Sequence, residues 1–220
     1  MITLAFDTST EVLSICLVNG ENVCQYESLK GLKHGKSLMP GIARILKDAG
    51  LSPDEVDLIV CSRGPGSFTG LRIGMTTAKG LSAGTGAPVV SVDTLDGLAY
   101  PLSFFSGAVV PVVDARKSRY YTAVYHRGRR LTKQLDCTVE ELVHLTDDFE
   151  QVLLTGPGAR QLSTPPGMLR TGVATLPGPM YGTAHSLAVL GVERFHTEGP
   201  DSPEQGPVYI RLSDAELYRK

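Results

Sequence analysis

At 220 residues, with 42% hydrophobic and 20% charged side chains, the chain has globular make-up and length for one large domain or two small lobes with a real core. Its formal charge of −2 leaves no broad positive surface, which argues against strong autonomous nucleic-acid binding. Cys16, Cys24, Cys61 and Cys137 include no CxxC pair, the opening MITLAFDTST carries no basic leader, and no run of about 18 apolar residues occurs; zinc, redox and membrane roles are thereby disfavoured and a reducing cytoplasm is expected.

In chain order, ITLAFDTS (2–9) reads as a buried strand ending on a polar turn. LSICLVNG (13–20) alternates and stops at Asn19-Gly20, a two-residue hairpin signal, with NVCQYES (22–28) as the return strand. HGKSLMPGIARILKDAG (34–50) carries Leu38, Met39, Ile42, Ile45, Leu46 and Ala49 at helical spacing. Pro40 is then expected in the first turn, where its missing N–H is harmless, and Gly50 closes the helix. Ser52-Pro53-Asp54-Glu55 is a compact helix start, cut short because VDLIVCS (56–62) follows as a strand. RGPGSFTGLRIG (63–74) is a glycine-rich turn opening onto a helix over 70–84; PVVSVD (88–93) is a strand and TLDGLAYPL (94–102) a short helix ending near Pro101.

From GAVVPVVDAR (107–116) the pattern begins again. A strand ends on Asp114, a hairpin runs through 119–135, a helix is capped by Thr138 with Glu141 three residues on, and QVLLTGPG (151–158) runs into a second Gly-Pro-Gly. Residues 157–180 read as loops, 185–195 as a helix, and VYIRL (208–212) as a short final strand or extended segment. The repeated order of strand, hairpin, helix and strand implies a duplicated α/β fold with parallel strands and crossover helices, in two lobes, 1–102 and a smaller 103–220.

Candidates for chemistry are few. Asp7, Thr8 and Ser9 at a strand end suit a metal–phosphate site, although the ordinary reading of so short a motif is a turn whose side chains satisfy the backbone; Asp114 holds the matching place in the second half. The 63–74 turn lacks the P-loop lysine and the GxGxxG spacing, although N–H groups at the start of the next helix could hold an anion. Gly70, Gly74 and Ala78 recur every four residues as a nearly side-chain-free stripe. A glycine inside a helix costs roughly 1 kcal/mol relative to alanine, so close approach is implied, either of the protein's own sheet or of another helix. The five histidines are scattered without HExxH spacing, and there is no GxSxG elbow. Arg116, Lys117, Arg119, Arg127, Arg129, Arg130 and Lys133 form a basic run whose ordinary reading is a solvated hairpin edge.

Four segments carry a resemblance. FDTST (6–10), RGPGSFTGLRIGMTTAKGLS (63–82), DARKSRYYTAVY (114–125) and PVYIR (207–211) resemble the TsaB (YeaZ) family in order and spacing, over most of the chain and most weakly at 157–200. The resemblance implies a two-lobed fold of the actin/sugar-kinase/chaperone-ATPase type. It also implies a non-catalytic subunit supporting a TsaD-type transferase in threonylcarbamoylation of the adenosine next to the tRNA anticodon. The catalytic relative holds its metal with an HxxxH pair. The corresponding positions here are Thr94 and Leu98, which cannot replace two imidazoles, so no metal is expected.

The resemblance further makes Asp7, Thr8, Ser9 and Asp114 a vestigial nucleotide site. It implies no cofactor on the isolated chain, with any ATP or ADP at the interface of the complex. Docking would use the helices near 37–49 and 70–84: Leu38, Met39, Ile42, Ile45 and Leu46 from the first, and Gly70, Ile73, Gly74, Thr77, Ala78 and Leu81 from the second. The implied partners are a TsaD-type subunit, a TsaE-type ATPase in the complex, a second copy when alone, and tRNA only through the complex, with no membrane. Three other readings compete: a glycoprotease-like metallohydrolase, an ATP-binding kinase-like enzyme of the same fold, and a stand-alone RNA-binding protein. A stoichiometric transition metal would favour the first and tight ATP binding by the isolated chain the second.

Overall fold

The computed structural model describes residues 1–29, 34–162, 172–176 and 182–211. The elements of the first half are β1 (Ile2–Asp7), β2 (Leu13–Asn19), β3 (Asn22–Ser28), α1 (His34–Asp48), β4 (Leu58–Gly64), α2 (Phe68–Thr85), β5 (Val89–Asp93) and α3 (Thr94–Ala99). Then come β6 (Ala108–Asp114), β7 (Tyr120–Thr122), β8 (Tyr125–His126), β9 (Arg129–Arg130), β10 (Leu135–Cys137), α4 (Val139–His144), β11 (Val152–Thr155), α5 (Ala159–Leu162), β12 (Val173–Thr175) and α6 (Ala184–Glu198).

Two sheets result, ordered β3-β2-β1-β4-β5 and β10-β7-β6-β11-β12, with β8 added on β6 and β9 on β8. In each, the opening strand is central. It pairs antiparallel with the hairpin that follows it and parallel with the strand reached by a crossover. The same connectivity occurring twice is the duplicated α/β design of the actin/sugar-kinase/chaperone-ATPase type.

The chain forms two compact units, Met1–Gly97 with Tyr181–Val208, and Leu98–Met180 with Tyr209–Lys220. This differs from a single division after residue 102. The last helix, expected in the second lobe, belongs to the first unit.

Strand alternation explains why that unit needs a helix on each face. Leu4, Phe6, Leu13, Ile15, Ile59 and Cys61 join Leu38, Ile42, Ile45 and Leu46 of α1 and Met75 and Ala78 of α2 in one core. Ala5, Cys16, Leu58, Val60, Val90 and Val92 face the other way and are covered by Ala184, Leu187 and Ala188 of α6. Gly191 lets that helix lie close, since a Cβ there would stand 2.6 Å from the methyls of Val60. The second unit has its own core, built on Val110, Val112, Val152 and Leu154 with Tyr120, Leu142 and Leu162.

Local signals fared unevenly. The α4 cap forms as a reciprocal pair: Thr138 N–H donates to the Glu141 carboxylate at 2.7 Å, and Glu141 N–H to Thr138 Oγ1 at 3.3 Å. Ser52 N–H donates to Glu55 at 2.8 Å, but only a single 3₁₀ turn, Pro53–Glu55, follows. The first hairpin pairs Asn19 with Asn22, so its turn is Gly20-Glu21, one residue later than the signal, with Gly20 at φ 59°. Because α1 starts at His34, Pro40 lies inside the helix rather than in its first turn. Residues 208–211 form no strand, and residue 212 and much of 157–180 lie outside the described residues. No helix among the described residues is long and apolar enough to cross a membrane.

Candidate functional site

The Gly-Pro-Gly turn and the start of α2 close on the chain's own β1–β2 turn. Ser67 caps α2, its Oγ accepting from Gly70 N–H at 3.2 Å, while its own N–H donates to the Ser9 carbonyl at 2.7 Å. Thr8 Oγ1 donates to the Gly70 carbonyl at 2.7 Å. A Cβ at Gly66 would collide with the Ser9 carbonyl and one at Gly70 with the Thr8 carbonyl; one at Gly74 would stand 2.5 Å from Thr8 Oγ1. Only glycine permits this approach. Of the two uses open for the stripe, the structure shows close packing within the protein. Where an anion would sit at the helix start, Gly70 N–H is already taken by Ser67.

Asp7 is buried at 1% exposure and both of its carboxylate oxygens accept hydrogen bonds. It accepts from Ser9 N–H at 2.7 Å, Ser62 Oγ at 2.6 Å and Thr183 Oγ1 at 2.5 Å. Thr183 and Ser62 were missed from sequence, and no local signal marks them, because they lie 176 and 55 residues from Asp7. Ser9 Oγ is buried without a hydrogen-bond partner among the described residues. Asp114 lies in the other unit, where its Oδ1 accepts from Arg116 N–H at 2.7 Å, the signature of a local turn.

The positions that matched a metal-binding pair offer no donor set. Thr94 is buried with its hydroxyl unpaired among the described residues, and Leu98 is buried and apolar. A transferase-type metal held by imidazoles does not fit them. Among the described residues, no three His, Cys, Asp or Glu side chains group so as to hold a metal ion. The cysteines are free, and burial pushes the thiols of Cys16 and Cys137 up to about 11 and that of Cys61 up to about 12.

The expected docking residues need a correction. Leu38, Ile42, Ile45 and Leu46 are buried in the first unit's own core, as are Gly70, Gly74 and Ala78. Helical spacing marks a face that is covered, and here the sheet covers it. Ile73, Thr77 and Leu81 are half-buried, and Met39 is 47% exposed. Gly35, Met39 and Ala43 are exposed on α1, beside Lys36, Pro40, Arg44, Lys47 and Asp48, and Thr76, Gly80, Ala83 and Gly84 are exposed on α2, beside Thr69 and Arg72. The helices are neighbours: a Cβ on Gly35 would meet Ile73 Cδ1 at 3.5 Å. Among the described residues a Cβ at Gly80 or Gly84 would meet nothing within 4 Å, so none of their packing accounts for either glycine. Their spacing of four was the available signal.

The basic run is divided by strand register. Arg116 and Lys117 follow the end of β6 at Asp114, whereas β8 pairs with its beginning, His126 opposite Ala108. Six residues of strand put these ends about 20 Å apart. Arg119 is held in a further contact, Nε to Asp136 Oδ1 at 2.7 Å, with Glu141 at 3.7 Å.

Residues 29–188 match the family described as "TsaD: tRNA N6-adenosine threonylcarbamoyltransferase". A relative from Bacillus subtilis (strain 168), named tRNA threonylcarbamoyladenosine biosynthesis protein TsaB, is 31% identical over 235 residues, covering 98% of this chain and 96% of its own. Its namesake from Haemophilus influenzae is 30% identical over 223 residues, covering 94% and 92%. Among solved structures, YeaZ from Pseudomonas aeruginosa aligns with a TM-score of 0.81 at 26% identity, over 95% of this chain and 99% of that one. Alike in sequence along nearly its whole length and in fold, this chain belongs to the TsaB (YeaZ) family.

Proposed function

We propose that the chain is a non-catalytic subunit in tRNA threonylcarbamoyladenosine biosynthesis, binding and supporting a TsaD-type transferase that modifies the adenosine next to the anticodon. The observation that carries this reading is the outward face of α1 and α2. Gly80 sacrifices roughly 1 kcal/mol of helix propensity, and Gly84 less because it lies in the last turn, with no neighbour among the described residues to require either. Such a surface admits a partner helix at close range, with Met39 and Ala43 adding apolar area. The names of the relatives supply the pathway. The lack of imidazoles at Thr94 and Leu98 supports a supporting rather than a catalytic role.

The same face would pair two copies when no TsaD-type subunit is present. A TsaE-type ATPase, and any ATP or ADP, would join at interfaces of the assembled complex, and tRNA would be engaged only there. The test is Gly80→Leu with Gly84→Leu, mixed with the cognate TsaD-type protein and weighed by native mass spectrometry. The variant should keep its circular dichroism and lose the assembly. A folded variant that assembles with unchanged affinity removes this face from the interaction.

A further inference from the structure

The second unit carries an exposed feature that its own packing does not explain. Phe104 is 82% exposed, with Tyr100 at 37% and Leu131 at 54%. The β8–β9 hairpin stands beside it, since Ser103 Cβ would lie 3.2 Å from a Cβ on Gly128 at the hairpin tip. That tip is a two-residue turn, Arg127-Gly128, with φ 48° and 75°, closed by the pair His126 and Arg129. Arg127, Arg129 and Arg130 are all exposed.

The platform is firmly held. Tyr125 is buried and pairs with Val109. The His126 ring contacts the Gly107 carbonyl at 3.2 Å and packs on Phe149 with centroids 5.7 Å apart. A rigid hairpin thus carries arginines on a tip that lies against Ser103, the residue before the exposed Phe104, in a chain whose net charge is −2, so the positive character is local.

We propose that Phe104 and the β8–β9 arginines contact single-stranded RNA, one base stacking on the Phe104 ring and the neighbouring phosphates meeting Arg127 and Arg129. This rests on the reading of the chain as a subunit of a tRNA-modifying assembly. An acidic protein segment would satisfy the arginines but leave the ring without a role. An unpaired nucleotide uses both, since any base offers a π-face and any phosphate a charge.

The test uses the complex with the cognate TsaD-type subunit and an unmodified tRNA transcript, with binding followed by fluorescence anisotropy across a salt series. Phe104→Ala should weaken transcript binding about ten-fold. Arg127→Ala with Arg129→Ala should lower the slope of log affinity against log salt by about 1.4 to 1.8. The mass of the protein assembly should not change in either variant. Equal transcript affinity and equal slope in all three complexes overturn the proposal. So does a poly-glutamate peptide that binds wild type and not the arginine variant while RNA binding is the same in both, which marks an acidic protein site. If no complex with the TsaD-type protein forms, the subunit reading falls on its own. The patch is then judged by ultraviolet cross-linking of the transcript to the isolated chain at low salt: a cross-link at Phe104 supports it and none there overturns it.

Discussion

Two glycines on the same helix should respond to the same substitution with opposite signs. At Gly80 a methyl group enters open space, so Gly80→Ala should recover the propensity of an interior helix position, about 1 kcal/mol. At Gly70, in the first turn, at most the same gain is available, and the new Cβ lands on the Thr8 carbonyl and 3.2 Å from Ser67 Cβ. Relief requires the β1–β2 turn to move. That loosens the Thr8 hydroxyl bond to the Gly70 carbonyl and the Ser67 N–H bond to Ser9, both 2.7 Å. Each is worth about 1 kcal/mol net, and overpacking adds about 1 to 3. After the propensity gain, Gly70→Ala should lose about 2 to 4 kcal/mol. At about 2 to 4 °C per kcal/mol for a chain of this size, Gly80→Ala should melt a few degrees higher and Gly70→Ala on the order of 10 °C lower. Thermal and urea transitions followed by far-ultraviolet circular dichroism measure both. A Gly70→Ala protein melting at or above wild type would refute the claim that this glycine exists for the turn packed against it.

Asp7→Ala should lower the urea midpoint whether or not ATP is present, because it strands the buried Ser9 N–H, at about 1 to 3 kcal/mol, and leaves the Ser62 and Thr183 hydroxyls to find other partners. An unchanged midpoint coupled to lost nucleotide binding would return Asp7 to the role of phosphate-site acid. The buried thiols set an alkaline limit. Their folded values are raised above the ordinary 9.0, so their contribution is complete below that pH and is lost as the unfolded chain ionises first, through about 11 for Cys16 and Cys137 and about 12 for Cys61. Stability should therefore fall with pH above about 9, and a thiol reagent at pH 8 should leave Cys61 unmodified until the protein unfolds; prompt reaction there would contradict its burial.

Periodicity in the sequence revealed which residues are covered, but not by what. Leu38, Ile42, Ile45 and Leu46 look alike whether a sheet or a partner lies over them, and the sheet won. The four-residue repeat of Gly70, Gly74 and Ala78 disclosed a close approach, but the approaching group, Thr8, is 62 residues away from Gly70. Short-range devices such as the Thr138–Glu141 cap were readable because both partners fall within one turn. The duplicated order of elements was readable for the same reason, each strand and helix announcing itself locally. The placement of α6 was not: an apolar helical face fits either sheet. Nor was the separation of Arg116 from Arg129, which depends on how β8 registers against β6.

The return of α6 to the first unit also bears on how the polypeptide matures as it leaves the ribosome. By the time Gly97 has emerged, all five strands of the first sheet exist, yet the side bearing Ala5, Cys16, Leu58, Val60, Val90 and Val92 waits for a helix that is completed only some hundred residues later in translation. At about 5 to 20 residues per second, that oily side stays bare for on the order of 5 to 20 s. The earliest-made sheet thus waits for one of the latest-made helices, and a chain interrupted anywhere before Ala184 inherits a sticky, half-dressed sheet.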